Sequence, residues 1–395
     1  MATNNIVDFA GAPRPITGRR LIPGRIRAAR KFARKSQGEL GETIGVSRQA
    51  VSAYERGDKM PDPEIFDKIV ASLEQPARFY TVEDTGSFGP TGPRFFRRFG
   101  SDTARRNDAC AILGDWFVQT THYLDRFVNY PEVFLPEAAG SGPHGYTPEE
   151  IEKAAEICRA RWGLGHGPIS NVLALLESKG VAVCRYEMTG EKVEAFSFWN
   201  GPRPFIFMAS EKECGVRTRY DLAHELGHLI LHRSIEENEL EDKNTLKRIE
   251  READRFAGAF LLPHQSFPNE VYTHRLDAFV SLKRRWLVSI QAMVYRCSDL
   301  GIIDPDGILN LRKQISFRKW RTKEPLDDPT IIPLEQPRLL RRAVEMVLNG
   351  ARRHPDEILS ELALSPHILE ALCNLPPKTL IGATSEVVEL TLKPT

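Results

Sequence analysis

The run DLAHELGHLILH, residues 221–232, sets three histidines and a glutamate into an otherwise apolar stretch. Burying imidazoles and a carboxylate costs free energy unless each finds a partner, so a helix that carries them constrains everything packed around it. A metal ion is one such partner. In a helix, residues four apart lie one above the other, so His224 and His228 can present two ring nitrogens to one zinc ion. Glu225, one position round, can reach an attacking water as general base without being a ligand, which is the mechanical content of the HExxH pattern. The competing reading is a buried helix whose histidines are satisfied by other side chains. His232 stays open between a fourth ligand and a histidine at the rim of the site.

Catalytic zinc takes three protein ligands and keeps a fourth position open. The segment RIEREADRFAGAFLLP (248–263) supplies candidates for the third. Its core face is Ile249, Ala253, Phe256, Ala257 and Phe260, flanked by Glu250 and Asp254 on one side and Glu252 on the other. Periodicity does not choose between Glu250 and Glu252. Glu250 is favoured because Asp254, one turn later, can orient a ligating histidine from behind. Glu252 is read as a solvated carboxylate, and Cys214 as a packed thiol.

The chain has 395 residues, 41% hydrophobic and 27% charged, enough for two or three domains. No apolar run reaches the ~18 residues of a membrane span, and the N-terminus lacks the apolar segment of a secretory signal. Cysteines 110, 158, 184, 214, 297 and 373 are scattered with no CxxC pair, which points to reduced thiols and a cytoplasmic protein. A net charge of +1 hides an asymmetry: residues 1–60 hold twelve Lys/Arg against five Asp/Glu. A basic end on a neutral protein suggests an anionic partner, with nucleic acid first.

That basic end contains SQGELGETIGVSRQAVSAYERGDKMPDPEIFDKI (36–69), which reads as helix, tight turn, helix. Leu40 and Ile44 form an apolar face, Gly45 allows the turn, and Ser47 caps a second helix running to Arg56. Val51 and Tyr54 then point inward, leaving Arg48, Gln49 and Ser52 outward. Arg and Gln at the start of such a helix make bidentate contacts with guanine and adenine edges. Gln37, Lys59 and the upstream RIRAARKFARK suit phosphates. The expected ligand is a double-stranded operator, bound by a homodimer.

Gly- and Pro-rich stretches mark boundaries near 83–99 and 137–150. The expected organisation is a disordered basic arm (1–20), a helix-turn-helix domain (21–80), a linker with a bridging helix (81–149), a zincin-like domain (150–315) and a C-terminal helical module (316–395). The linker is long enough to let the central domain swing over neighbouring DNA, though its helical middle should limit that swing. Helices over 149–163 and 168–179, with Thr147 as N-cap of the first, precede the strand-like VAVCRYE, VEAFSFW and PFIFMAS. The fold class is mainly α with a small β-sheet, α+β. ILSELALSPHILEALCNLP (358–376) also looks like a small helix-turn-helix, but lacks outward Arg or Lys at its second helix and reads as a structural or pairing module.

Together these motifs resemble bacterial and phage regulators in which an Xre (Cro/cI-type) domain is fused to an ImmA/IrrE-type metallopeptidase domain. The likeness rests on SQGELGETIGVSRQAVSAYERG, RTRYDLAHELGHLILH and IEREADRFAGAFLLP, with VEAFSFW and PFIFMAS ahead of them. The resemblance implies one zinc per chain on His224, His228 and Glu250, with Glu225 as catalytic base. It implies protein substrates that are themselves helix-turn-helix repressors. The alternatives are a ligand-sensing regulator of acyl-CoA type with a non-proteolytic metal site, or the antitoxin partner of a toxin; an intact Glu225 favours catalysis. An acidic insertion, EENELEDKN (236–244), departs from the pattern ahead of the third-ligand helix.

Overall fold

The computed structural model describes residues 21–82, 89–95, 103–138, 144–187, 195–209, 214–351 and 353–381. The basic arm expected over 1–20 lies outside them, as do parts of both expected linkers. The chain divides into two compact units near Thr85, with Ala363–Ser365 counted with the first.

The first unit holds α1 (Pro23–Phe32), α2 (Gln37–Ile44), α3 (Arg48–Arg56) and α4 (Pro63–Leu73). Local chemistry sets each boundary. Ser36 opens α2 with a capping box, its hydroxyl accepting from Glu39 N while the Glu39 carboxylate accepts from Ser36 N. Ser47 and Asp62 cap α3 and α4 by a single side-chain bond each, accepting from Ala50 N and Ile65 N. Gly45 ends α2 at φ 78°, a left-handed turn that a side chain would strain. Ile26, Leu40, Ile44, Val51, Ile69 and Leu73 form the core.

The second unit begins with residues 89–95 and α5 (Thr103–Asp125), followed by α6 (Pro148–Arg161) and α7 (Val172–Ser178). The helix expected from 168 starts at Val172, capped by Asn171. It starts late because the carbonyls of Ile169 and Ser170 accept from the buried Arg219 guanidinium. Strands β1 (Ala182–Tyr186), β2 (Ala195–Asn200) and β3 (Arg203–Ala209) lie in the order β1-β3-β2, with β1 parallel and β2 antiparallel to β3.

Period-two alternation gives β2 two faces. One face meets α8 (Gly215–Leu231), where Ser197 Oγ donates to Glu225 O and Trp199 Nε1 to Leu229 O. The opposite face carries stacked Phe196 and Phe198 beside Phe205, whose ring meets Phe117 of α5 edge-on. Then come α9 (Lys243–Leu261), packed along α8 and α6, and α10 (Leu276–Trp286), α11 (Ile290–Asp299) and α12 (Pro305–Phe317). Finally α13 (Leu339–Asn349) and α15 (Pro366–Leu372) lie against β1, with α14 (Pro355–Leu362) against α5.

Two expectations need correction. The described part of the 81–149 linker is no free tether. Thr91 N donates to Trp199 O and Phe95 N to Ser197 O, so this stretch runs along the edge of β2, while α5 covers the sheet. Nor does the chain after 316 stand apart. Lys283 of α10 is fully buried and donates to both Glu324 and Asp327, and Glu335 accepts from Arg219 and from the first two N–H groups of α7. Sequence patterns mark apolar faces but not which remote segment will cover them. No described helix is long and apolar enough to cross a membrane.

Candidate metal centre and DNA-facing helix

Leu222, Leu226 and Leu229 anchor α8 in the core, and the same turn repeat lines up His224, His228 and His232 along it. Gly227 lets α9 come close, since a Cβ there would lie 3.1 Å from Ala253 Cα. That approach brings Glu250 to the histidines. Its Oε2 is 3.6 Å from His224 Nε2 and its Oε1 3.6 Å from His228 Nε2, while the two ring nitrogens are 3.1 Å apart. Among the described residues, these three offer ligand atoms within 4.8 Å of one another. Ligand atoms bonded tetrahedrally at usual zinc distances lie about 3.4 Å apart. The spacing and the donor set, two imidazoles and a carboxylate, both fit.

The far nitrogen of each histidine is also held. His224 Nδ1 donates to Asp254 Oδ1 at 2.8 Å. His228 Nδ1 meets His232 Nδ1 at 2.9 Å, and His232 Nε2 meets Glu252 Oε2 at 2.8 Å. Two expectations change here. Glu252 is not solvated: it is 6% exposed and also accepts from Tyr146 N. His232 is not at a rim: it is 1% exposed, between His228 and Glu252. Both shifts arise because α9 is covered on two sides, so its flank is interior. Cys214 sits just before α8, its thiol donating to Asp327.

Phe95 stacks flat on His228, with centroids 4.7 Å apart and planes 7° apart. It helps to close a cavity of about 40 Å³ lined by Ala195, Tyr220, His224, Glu225 and Glu250, room for water-sized occupants. Glu225 is buried, and its Oε2 has no hydrogen-bond partner among the described residues. Burial pushes its carboxyl up to about 7, where a group both takes and gives protons near neutrality. Burial also pulls His228 down to about 4, keeping a neutral ring. At His224 burial acts downward, but the hydrogen bond to Asp254 and the facing Glu250 carboxylate outweigh it and hold the ring up to about 10. Burial acts upward on Glu250, but the two histidines facing it outweigh this and hold it well below the usual carboxylate range. A wider cleft of about 870 Å³ adjoins, sharing Tyr220, Asp221 and Asp254 and adding Arg217, Arg251 and Arg321. Phe95 and Tyr146 carried no local sequence signal, because each joins the site from a distant segment, whereas Tyr220 stands one turn before His224 on α8.

In the first unit Arg48 and Gln49 are exposed at the start of α3, and Lys59 is exposed beyond its end. Ser47 serves as the N-cap, and Ser52 accepts from Arg56 at 2.6 Å. Gln37, expected on a phosphate, donates its amide to Glu55, a buried carboxylate that the Arg30 guanidinium also grips.

A family model described as the IrrE N-terminal-like domain, a peptidase family, matches residues 176–298, and one described as helix-turn-helix matches 26–78. Uncharacterized HTH-type transcriptional regulators of Sinorhizobium medicae (strain WSM419) and Rhizobium meliloti (strain 1021) are each 32% identical over 72 residues, 18% of this chain and 52% of the relative. The chain thus spans about half the length of the curated relatives it matches. It joins, in one polypeptide, an Xre-type helix-turn-helix domain and a peptidase domain of the ImmA/IrrE type.

Proposed function

We propose that this DNA-binding regulator uses its second unit as a zinc-dependent endopeptidase acting on a repressor-type protein. The observation that carries the reading is the buried Glu225 carboxylate, whose Oε2 has no partner among the described residues, beside three converging ligand atoms. His224, His228 and Glu250 would hold the ion. Zinc, when bound, supplies Lewis-acid polarisation of a carbonyl. Glu225 takes the proton of the attacking water at Oε2 and returns it to the departing amine nitrogen. Asp254 holds His224 in place while this happens.

The rival is a sensor that binds an anionic ligand without cutting anything. The arginine-bearing cleft beside the site is large enough for one. A buried carboxylate with one oxygen left open next to the ligand set favours catalysis, since a sensor gains nothing from burying one.

Purified protein is expected to carry zinc near one per chain. Glu225→Ala should keep that zinc and its operator affinity while losing peptide hydrolysis and the response of a reporter driven by the native operator. Absence of zinc, or a normally responding Glu225→Ala protein, would end the peptidase reading.

A further inference from the structure

We propose that His232 and Glu252 are positioning residues that fix which nitrogen of His228 faces the metal; this rests on the metal-binding reading above. Protons can be placed one by one along a single chain of hydrogen bonds from Glu252 to His228. Glu252 offers two acceptor oxygens and uses both, Oε1 for Tyr146 N at 3.1 Å and Oε2 for His232 Nε2 at 2.8 Å. His232 therefore carries its proton on Nε2. A neutral imidazole has one N–H, so His232 Nδ1 is left as a bare acceptor. The group facing it at 2.9 Å is His228 Nδ1, which must then be the donor. With its proton on Nδ1, His228 turns the lone pair of Nε2 toward His224 Nε2 and Glu250, where a ligand is needed.

The surroundings are built for this chain. Gly145 has φ 85°, and a Cβ there would fall 2.1 Å from Glu252 Oε1, so only glycine lets the backbone close on the carboxylate. Phe95 covers the face of His228, and the Tyr146 ring lies beside His232. His224 obtains the same orientation in one step, from Asp254, whose side chain is 43% exposed. His228 obtains it in two steps through a dry interior. The two ligands are thus oriented independently.

The test uses the full chain with ¹⁵N-labelled histidine. Long-range ¹H–¹⁵N spectra should place the proton on Nδ1 of His228 and Nε2 of His232, in the metal-free protein as well as the zinc-loaded one. Glu252→Gln keeps the shape but has one acceptor end. With its oxygen on Tyr146 N, its amide donates to His232 and drives the His228 proton to Nε2. Zinc affinity, read by chelator competition, should fall about 10–100-fold, as for loss of other groups that orient a ligand. His232→Phe should fall similarly, and adding Glu252→Gln to it should cost nothing more. A purely packing role would leave the isosteric Glu252→Gln at wild-type affinity with unchanged spectra, and that result overturns the proposal, as does a wild-type His228 protonated on Nε2. Wild-type protein that binds no zinc refutes the metal reading instead.

Discussion

Glu225 pairs burial with an unmet oxygen, and this has a pH signature of its own. An ordinary glutamate titrates near 4.5, and burial raises this one to about 7. The folded chain therefore binds the proton more tightly than the unfolded chain. The stability from that proton is fully present below pH 4.5 and is lost as pH rises through 7. In zinc-stripped protein, Glu225→Gln should be more stable than wild type at pH 8, by up to about 3 kcal/mol. The gain should shrink to little by pH 5. Urea midpoints at the two pH values read it directly, and an equal gain at both would contradict the cause given. At this scale the sequence was legible where geometry is local. Four-residue spacing is enough to put His224 and His228 on one face. Glu252 was misread because solvation of a helix flank depends on what covers it, and here the cover is His232, from another helix.

At the scale of elements, caps and turns were the readable part: Ser47 and Thr147 both accept from the third residue of the helix they open. With Arg48 and Gln49 exposed at the start of α3, Arg48→Ala should lose about 1–3 kcal/mol of discrimination between operator and random DNA. Lys59→Ala should weaken both alike and flatten the salt slope by about 1. Competition binding at two salt concentrations separates the cases, and equal losses for Arg48→Ala would contradict base reading. The 91–95 stretch was not readable, because its Gly and Pro residues mark a linker and say nothing of the strand it lies on. Between the donors Thr91 N and Phe95 N, Pro93 has no N–H to give. Thr91→Pro removes the bond to Trp199 O as well, so Phe95 should leave His228 more often. A chelator should then strip zinc faster, with operator binding unchanged; an unaltered rate would mean the stretch does not guard the site.

At the scale of the molecule, buried charge ties the late part of the chain to its centre. Lys283, Glu324 and Asp327 form a dry cluster joining α10 to the segment before α13, and Glu324 also accepts from the first N–H groups of α11. Removing the cation strands two carboxylates, so Lys283→Met should cost about 3–5 kcal/mol in denaturant unfolding. A near-neutral result would show that the cluster is hydrated and holds little. None of this was visible in the sequence, where Lys283 is one more basic residue on an amphipathic helix. The helices α13 and α15 finish the work by lying over β1, whose Ala182 and Cys184 are wholly buried. A premature stop codon ahead of α13 would therefore not trim away an accessory. It would strip the sheet of its cover and leave a chain for the cell's quality-control proteases, so a loss-of-function allele can arise far downstream of both α3 and the His224, His228 and Glu250 cluster.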